Sequence, residues 1–175
     1  RPRQEDQADD HVPGEHRPQL RRDPARDRLA AAHQQLQGRH ARELALQGLY
    51  QYCVAGGPAE AIEAQLKETN EFAKTDEAYF SSLLYGVLTN VAELEQQIQP
   101  YLDRPFKELS PVEIAILLLG THELASHLEI PYRAVINEAV ELAKTYGGTH
   151  GHKYVNGVLD KLAVKLRTTE VHARA

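Results

Sequence analysis

Seven successive segments of this chain repeat their apolar residues at the 3.6-residue period of an α-helix, and no segment shows the sustained apolar–polar alternation of a strand. The strongest local signal is the motif Ser110 to Glu113, which offers a capping serine, a proline at the first helical position and a glutamate at the third. The apolar run Ile114 to Leu119 follows and leaves little polar face, so we expect that helix to be central. The pattern predicts an all-α bundle of about seven helices.

Turn-forming and capping residues separate the predicted helices. Asp76 is a good N-cap, and the glycine pairs at 56–57 and 147–148 are typical of helix ends. The predicted helices span residues 39–53, 59–68, 76–88, 91–102, 111–128, 133–146 and 152–166.

The first 37 residues differ in composition from the rest of the chain. They contain seven Arg, no Lys, seven acidic residues, four of the nine prolines and no aromatic residue. Such a segment cannot bury enough apolar surface to offset the entropy that ordering would cost. We therefore expect a disordered tail at 1–37, with a nascent helix over 28–37, then a helical domain at 38–167 and a C-terminal tail at 168–175.

Catalytic and metal sites are poorly supported by the residue pattern. The single cysteine, Cys53, excludes an intrachain disulfide and a multi-cysteine zinc site. His122 and His127 look like a zinc-protease helix, but that motif needs histidines four apart. These two are five apart, which turns the second about 140° away from the first on a helix. We expect no catalytic residue, no metal and no cofactor.

The net charge of −5, counted with neutral histidines, means that any nucleic-acid contact must come from a local basic patch. Arg39, His40 and Arg42 form such a cluster at the start of the first predicted helix. Free backbone N–H groups and the positive end of the helix dipole are expected there, and both favour phosphate. The alternative is a solvated helix start with scattered charges, which sequence statistics alone favour.

Four blocks of the chain, in the same order, resemble the NusB family of bacterial transcription antitermination factors. The blocks are residues 39–50 (RHARELALQGLY), 101–102 with 109–113, 130–144 (IPYRAVINEAVELAK) and 152–161 (HKYVNGVLDK). The likeness covers residues 39–167, and the third and fourth blocks together are highly specific. It implies two small α-helical bundles and a non-catalytic role.

The resemblance also implies a partner and an RNA. Members of the family pair with NusE, a small-subunit ribosomal protein, and the pair binds the boxA element of nascent RNA. With other Nus factors, the pair keeps RNA polymerase processive, notably on ribosomal RNA operons. We therefore expect a cytoplasmic adaptor that does not enter a membrane.

Seven positions of this chain match the family's RNA and partner surface. The RNA-binding positions map to Arg39, His40, Arg42, Tyr50 and Lys153, and the partner-binding positions map to Glu113 and Tyr146. Basic side chains can neutralise phosphates, and tyrosines can stack on splayed bases or pack on a partner. The glutamate can accept a hydrogen bond from a basic partner, serve as the acid of the capping box, or do both.

Two alternatives stay open at this point. A NusB-like domain also occurs fused to ribosomal RNA cytosine methyltransferases, and this chain would then be a fragment, because no residues remain for a nucleotide-cofactor domain. The other alternative is a purely protein-binding helical module or a homodimer that does not bind RNA. Many family members have a denser arginine run where this chain has Gln37 to His40, which keeps that alternative alive.

Overall fold

The computed structural model describes residues 23–173, and it is all-α over that range, which confirms the predicted fold class. The helices of this range are α1 (Pro24–Ala55), α2 (Ala59–Lys67), α3 (Glu77–Thr89), α4 (Val91–Ile98), α5 (Pro111–Ser126), α6 (Tyr132–Tyr146), α7 (Gly151–Leu166) and α8 (Thr168–Ala173). Short 3-10 helices lie at Asn70–Lys74, Gln99–Tyr101 and Phe106–Glu108. No helix of the described range is long and apolar enough to span a bilayer.

The helices form two groups that share one core. The first group is α1, α2 and α3, and the second is α5, α6 and α7 with α4 packed against α5 and α7. Helix α5 joins the groups because it also packs on α1 and α3. Residues 115–124 of α5 are all buried, which confirms the central position predicted from its apolar run.

Side-chain caps explain where two of the helices begin. At the start of α5, the Ser110 hydroxyl accepts a hydrogen bond from the Glu113 N–H at 3.2 Å. At the start of α3, Asp76 Oδ1 accepts one from the Tyr79 N–H at 3.1 Å. Each bond satisfies a backbone donor that the first helical turn leaves unpaired. Both caps were predicted from the sequence.

Helix α1 begins at Pro24 and not near Arg39, so residues 24–37 are helical in the structure, contrary to the tail prediction. Asp23 caps this end by accepting a hydrogen bond from the Ala25 N–H at 2.9 Å. The segment is rich in alanine, arginine and glutamine, which favour helix, but almost all of it is exposed. The sequence of this part of α1 therefore shows no periodic pattern of apolar residues. The nascent helix predicted over 28–37 is part of α1, and residues 1–22 lie outside the described residues.

The predicted C-terminal tail contains a further helix, α8, held by Arg167. This side chain is buried, and it donates hydrogen bonds to the carbonyl oxygens of Leu124 at 2.6 Å and of His127 and Ile130, both at 2.9 Å. It also pairs with Glu170 of α8 at 2.7 Å. One guanidinium thus satisfies carbonyl groups at and beyond the end of α5 while anchoring α8. Residues 174–175 lie outside the described residues.

Candidate nucleic-acid and partner interface

The predicted basic cluster lies within α1 and not at a helix start. Since α1 begins at Pro24, the backbone N–H groups near Arg39 are engaged inside the helix, and the dipole argument for phosphate binding there is wrong. The side chain of Arg39 is half exposed, with its Nε 3.2 Å from Glu138 Oε1. His40 is half-buried, with its Nδ1 3.9 Å from Glu43 Oε2.

Arg42 is buried, and its guanidinium is used by the core. Its Nε lies 2.8 Å and 3.2 Å from the two carboxylate oxygens of Glu123, which is itself 1 % exposed. Its Nη2 donates to the Tyr79 hydroxyl at 3.1 Å, and that hydroxyl donates to Glu123 in turn. A phosphate could reach Arg42 only by breaking this ion pair. The predicted phosphate contact of Arg42 therefore does not fit the structure.

The electrostatics of this cluster keep Arg42 charged and Tyr79 neutral. Burial, followed by the negative charge of Glu123, raises the pKa of Tyr79. Burial alone would lower the pKa of Arg42, but the carboxylate of Glu123 raises it overall. Glu123 was not predicted as the partner of Arg42. The available signal was an acidic residue inside the most apolar helix of the chain, which calls for a buried positive charge.

Tyr50 and Tyr146, which are 96 positions apart in the sequence, line the same groove. Each side chain is 44 % exposed. The groove has a volume of about 260 Å³, and Leu46, Gln47 and Val112 form the rest of its wall. Tyrosines at the rim of an apolar groove supply a large contact area and a polar tip. The structure therefore brings together α1, α5 and α6 at a surface suited to a partner.

A second cleft lies beside Arg39. It runs between α1 and α6, has a volume of about 170 Å³, and is lined in part by Arg39, Glu138 and Thr145. Thr145 directly precedes Tyr146, so the cleft and the tyrosine groove are neighbours along α6. Arg39 and Tyr50 are eleven residues apart on α1, close to three full turns, so they lie on the same side of that helix.

Glu113 and Lys153 lie where the starts of α5 and α7 meet. The Glu113 Oε1 atom is 3.6 Å from the position that a Cβ would take at Gly151, the first residue of α7. A carboxylate there faces the positive end of the helix dipole. Lys153, in the same turn of α7, is exposed. Val112 of the tyrosine groove directly precedes Glu113, so the first turn of α5 contributes both to the groove and to the contact with α7.

His122 and His127 come together in the structure, contrary to the angle predicted from a continuous helix. Helix α5 ends at Ser126, so His127 leaves the helical path, and the two rings meet edge to face with centroids 5.3 Å apart. Within residues 23–173, no group of three His, Cys, Asp or Glu side chains is arranged to hold a metal ion.

The fold defines an all-α protein whose described helices form two groups around one core. The NusB family model matches residues 39–164. The chain belongs to the NusB family.

Relatives and a solved structure agree with this assignment. The chain is 77 % identical over 133 residues to a transcription antitermination protein NusB of Nitrosospira multiformis, covering 76 % of this chain and 84 % of that protein. It is 62 % identical over 135 residues to the protein of that name from Nitrosomonas eutropha, covering 77 % and 81 %. The solved structure of T. maritima NusB has a TM-score of 0.65 and 29 % identity, over 72 % of this chain and 89 % of that one. The two relatives from Nitrosospira and Nitrosomonas are named as transcription antitermination proteins.

Proposed function

We propose that this chain is an RNA-binding adaptor that works in the cytoplasm, binds boxA RNA together with NusE, and supports processive transcription of ribosomal RNA operons with other Nus factors and RNA polymerase. The observation that carries the proposal is the groove that Tyr50 and Tyr146 line together, with exposed Arg39 on the same side of α1 and exposed Lys153 in the first turn of α7. These residues combine an apolar groove with exposed cations on α1 and α7.

The charge on this face explains why a partner would be needed. Glu138 and Glu141 line the cleft beside Arg39, and Arg42 is withdrawn into the core. Of the predicted RNA-binding arginines and lysine, Arg39 and Lys153 remain exposed, and two such cations are too few to hold RNA strongly by charge alone. A basic ribosomal protein bound at the tyrosine groove would add the positive charge that this acidic chain lacks.

Replacing Arg39 and Lys153 by glutamine is expected to weaken boxA binding in the presence of NusE. Each removed phosphate contact should reduce the slope of log affinity against log salt by roughly 0.7, so the double variant should lose about 1.4. The measurement is an RNA titration by fluorescence anisotropy at several salt concentrations.

The matched control is Lys161→Gln, which removes an exposed positive charge further along α7. It should leave the salt slope almost unchanged. An equal slope for the wild type and for the Arg39 and Lys153 double variant would place the RNA elsewhere on the molecule.

Replacing Tyr50 and Tyr146 by alanine is expected to weaken NusE binding at least tenfold without unfolding the protein. Both rings are partly exposed, so their loss removes contact area for a partner and little of the core. Isothermal titration calorimetry with NusE measures the effect. Val54→Ala is the control, because Val54 is 60 % exposed on α1 and does not line the groove. NusE binding that tolerates the tyrosine substitutions would argue against this docking site.

The burial of Arg42 favours one second candidate, a protein-binding module without RNA affinity, because it leaves fewer cations for phosphate than the sequence predicts. If the chain is such a module, it should bind NusE equally well with and without RNA. The pair should then bind RNA no more tightly than NusE does alone.

A further inference from the structure

Arg104, which is not among the predicted site residues, is held by its neighbours near the start of α7. The guanidinium carbon of Arg104 lies 4.7 Å from the centroid of the Tyr154 ring. Its Nε donates to Asp103 Oδ1 at 2.9 Å. The Asp103 N–H in turn donates to the Tyr154 hydroxyl at 3.4 Å. These contacts fix both the plane and one edge of the guanidinium.

The other edge of the Arg104 guanidinium is free to bind a ligand. Its side chain is 45 % exposed, and neither Nη atom makes a hydrogen bond with any residue in the range 23–173. Those two nitrogens form a planar fork that matches two oxygens of one phosphate. Because the neighbours already order the side chain, binding costs less conformational entropy than it would for a mobile surface arginine.

Arg104 also lies beside residues of the proposed interface. Tyr154, which supports it, directly follows Lys153 in α7. Hydrogen bonding to Asp103 is the main cause of the raised pKa of Arg104, and the charge of Glu113, which packs on the first residue of α7, adds to it. Arg104 therefore lies near the start of α7, beside residues of the proposed interface.

We propose that Arg104 binds a phosphate group of the single-stranded RNA, with Tyr154 and Asp103 as its positioning residues. This inference rests on the proposed function, because it assumes that RNA crosses Lys153. Exposed Lys107 lies three residues further along the chain, and neither Lys107 nor Lys153 makes an ion pair within residues 23–173. Two unpaired lysines, one near Arg104 in the sequence and one next to its supporting tyrosine, favour a polyanion over an acidic protein side chain.

The test uses the full chain with NusE and a boxA RNA in which each phosphate in turn is replaced by a neutral methylphosphonate. Arg104→Gln should weaken binding of the unmodified RNA roughly tenfold. One methylphosphonate should weaken binding to the wild type and cause no further loss with the variant. Arg104→Lys should recover less than half of the lost affinity on a logarithmic scale, since lysine has no fork.

Two further variants test the positioning. Tyr154→Phe keeps the ring under the guanidinium and should bind nearly as the wild type does, whereas Tyr154→Leu should resemble Arg104→Gln. The matched control is Arg133→Gln. Arg133 is also an exposed arginine over a tyrosine, with its guanidinium carbon 5.6 Å from the centroid of the Tyr132 ring. Arg133 lies at the opposite end of α6 from Tyr146, about 20 Å away along the helix. The RNA affinity of the Arg133→Gln variant should equal that of the wild type.

The outcomes separate this inference from the function on which it rests. Normal RNA binding by Arg104→Gln, together with weakened binding by Lys153→Gln, would overturn the role of Arg104 alone. Weakened NusE binding by Arg104→Gln with unchanged RNA binding would assign Arg104 to a protein contact and overturn the inference as well. A wild-type chain that binds no boxA RNA with NusE would overturn both proposals.

Discussion

Replacing Glu123 by leucine is expected to lower the free energy of unfolding by about 3–5 kcal/mol, which is a large part of the stability of an ordinary domain. The substitution leaves Arg42 charged and unpaired in the core, and it removes the acceptor of the Tyr79 hydroxyl. The cost arises from the charge that stays buried and not from the net strength of the ion pair. Urea unfolding followed by circular dichroism measures it.

A double variant distinguishes this explanation from a simple loss of packing. Arg42→Met with Glu123→Leu removes both charges and should recover most of the lost stability. The control is Glu141→Gln, which breaks an exposed contact of 3.4 Å with Lys144 and should cost less than about 1 kcal/mol. A double variant as unstable as the sum of the two single variants would show that the charges are not coupled.

Lowering the pH from 7 to 4 is expected to remove about 3 kcal/mol of stability through His122 alone. Burial, followed by the neighbouring His127, lowers the pKa of His122 to about 4. The ring in the unfolded chain takes up a proton near pH 6.5, so between these two values the unfolded state binds more protons and gains stability relative to the fold. The contribution is complete above pH 6.5 and falls as the pH drops towards 4.

The packing around His122 explains why the folded state resists this proton. A Cβ at Gly86 would lie 2.3 Å from the His122 ring, so the imidazole sits directly on the backbone of α3. Its Nε2 atom is buried and has no hydrogen-bond partner in the described part of the chain. A charge on that ring would therefore be poorly solvated.

Unfolding free energies measured from pH 7.5 to 4 test this prediction. His122→Leu should lose less stability on acidification than the wild type, by about 3 kcal/mol. His33→Gln removes an exposed histidine of α1 and should keep the wild-type profile. Parallel curves for the wild type and His122→Leu would mean that other groups cause the acid sensitivity.

Most of the helices could be predicted because their ends carry local chemical signals. Ser110 and Asp76 cap helices through residues only three positions away, and the apolar period marks the buried face of each helix. The first part of α1 lacks that mark, because residues 24–36 are exposed and bury no periodic face. Helix α8 depends on Arg167, whose carbonyl partners lie about 40 positions earlier in the chain.

The site could be predicted only in part, because the contacts that bury or orient its residues join distant parts of the sequence. The resemblance supplies Tyr50 and Tyr146, but only the fold shows that they line one groove. A cluster of basic residues in sequence does not reveal which of them is exposed. Arg42 is buried in an ion pair with Glu123, which lies 81 positions later in the sequence, whereas Arg39 is exposed. Arg104 was not singled out, because its support, Tyr154, lies 50 positions later.

The most direct test of the central claim is the affinity of the chain for boxA RNA and for a scrambled RNA of equal length, each measured with and without NusE. The proposed function predicts weak binding of both RNAs by the chain alone. With NusE, it predicts at least a tenfold preference for boxA, because base contacts and not phosphate contacts discriminate sequence. Equal affinity for the two RNAs in the presence of NusE would contradict it.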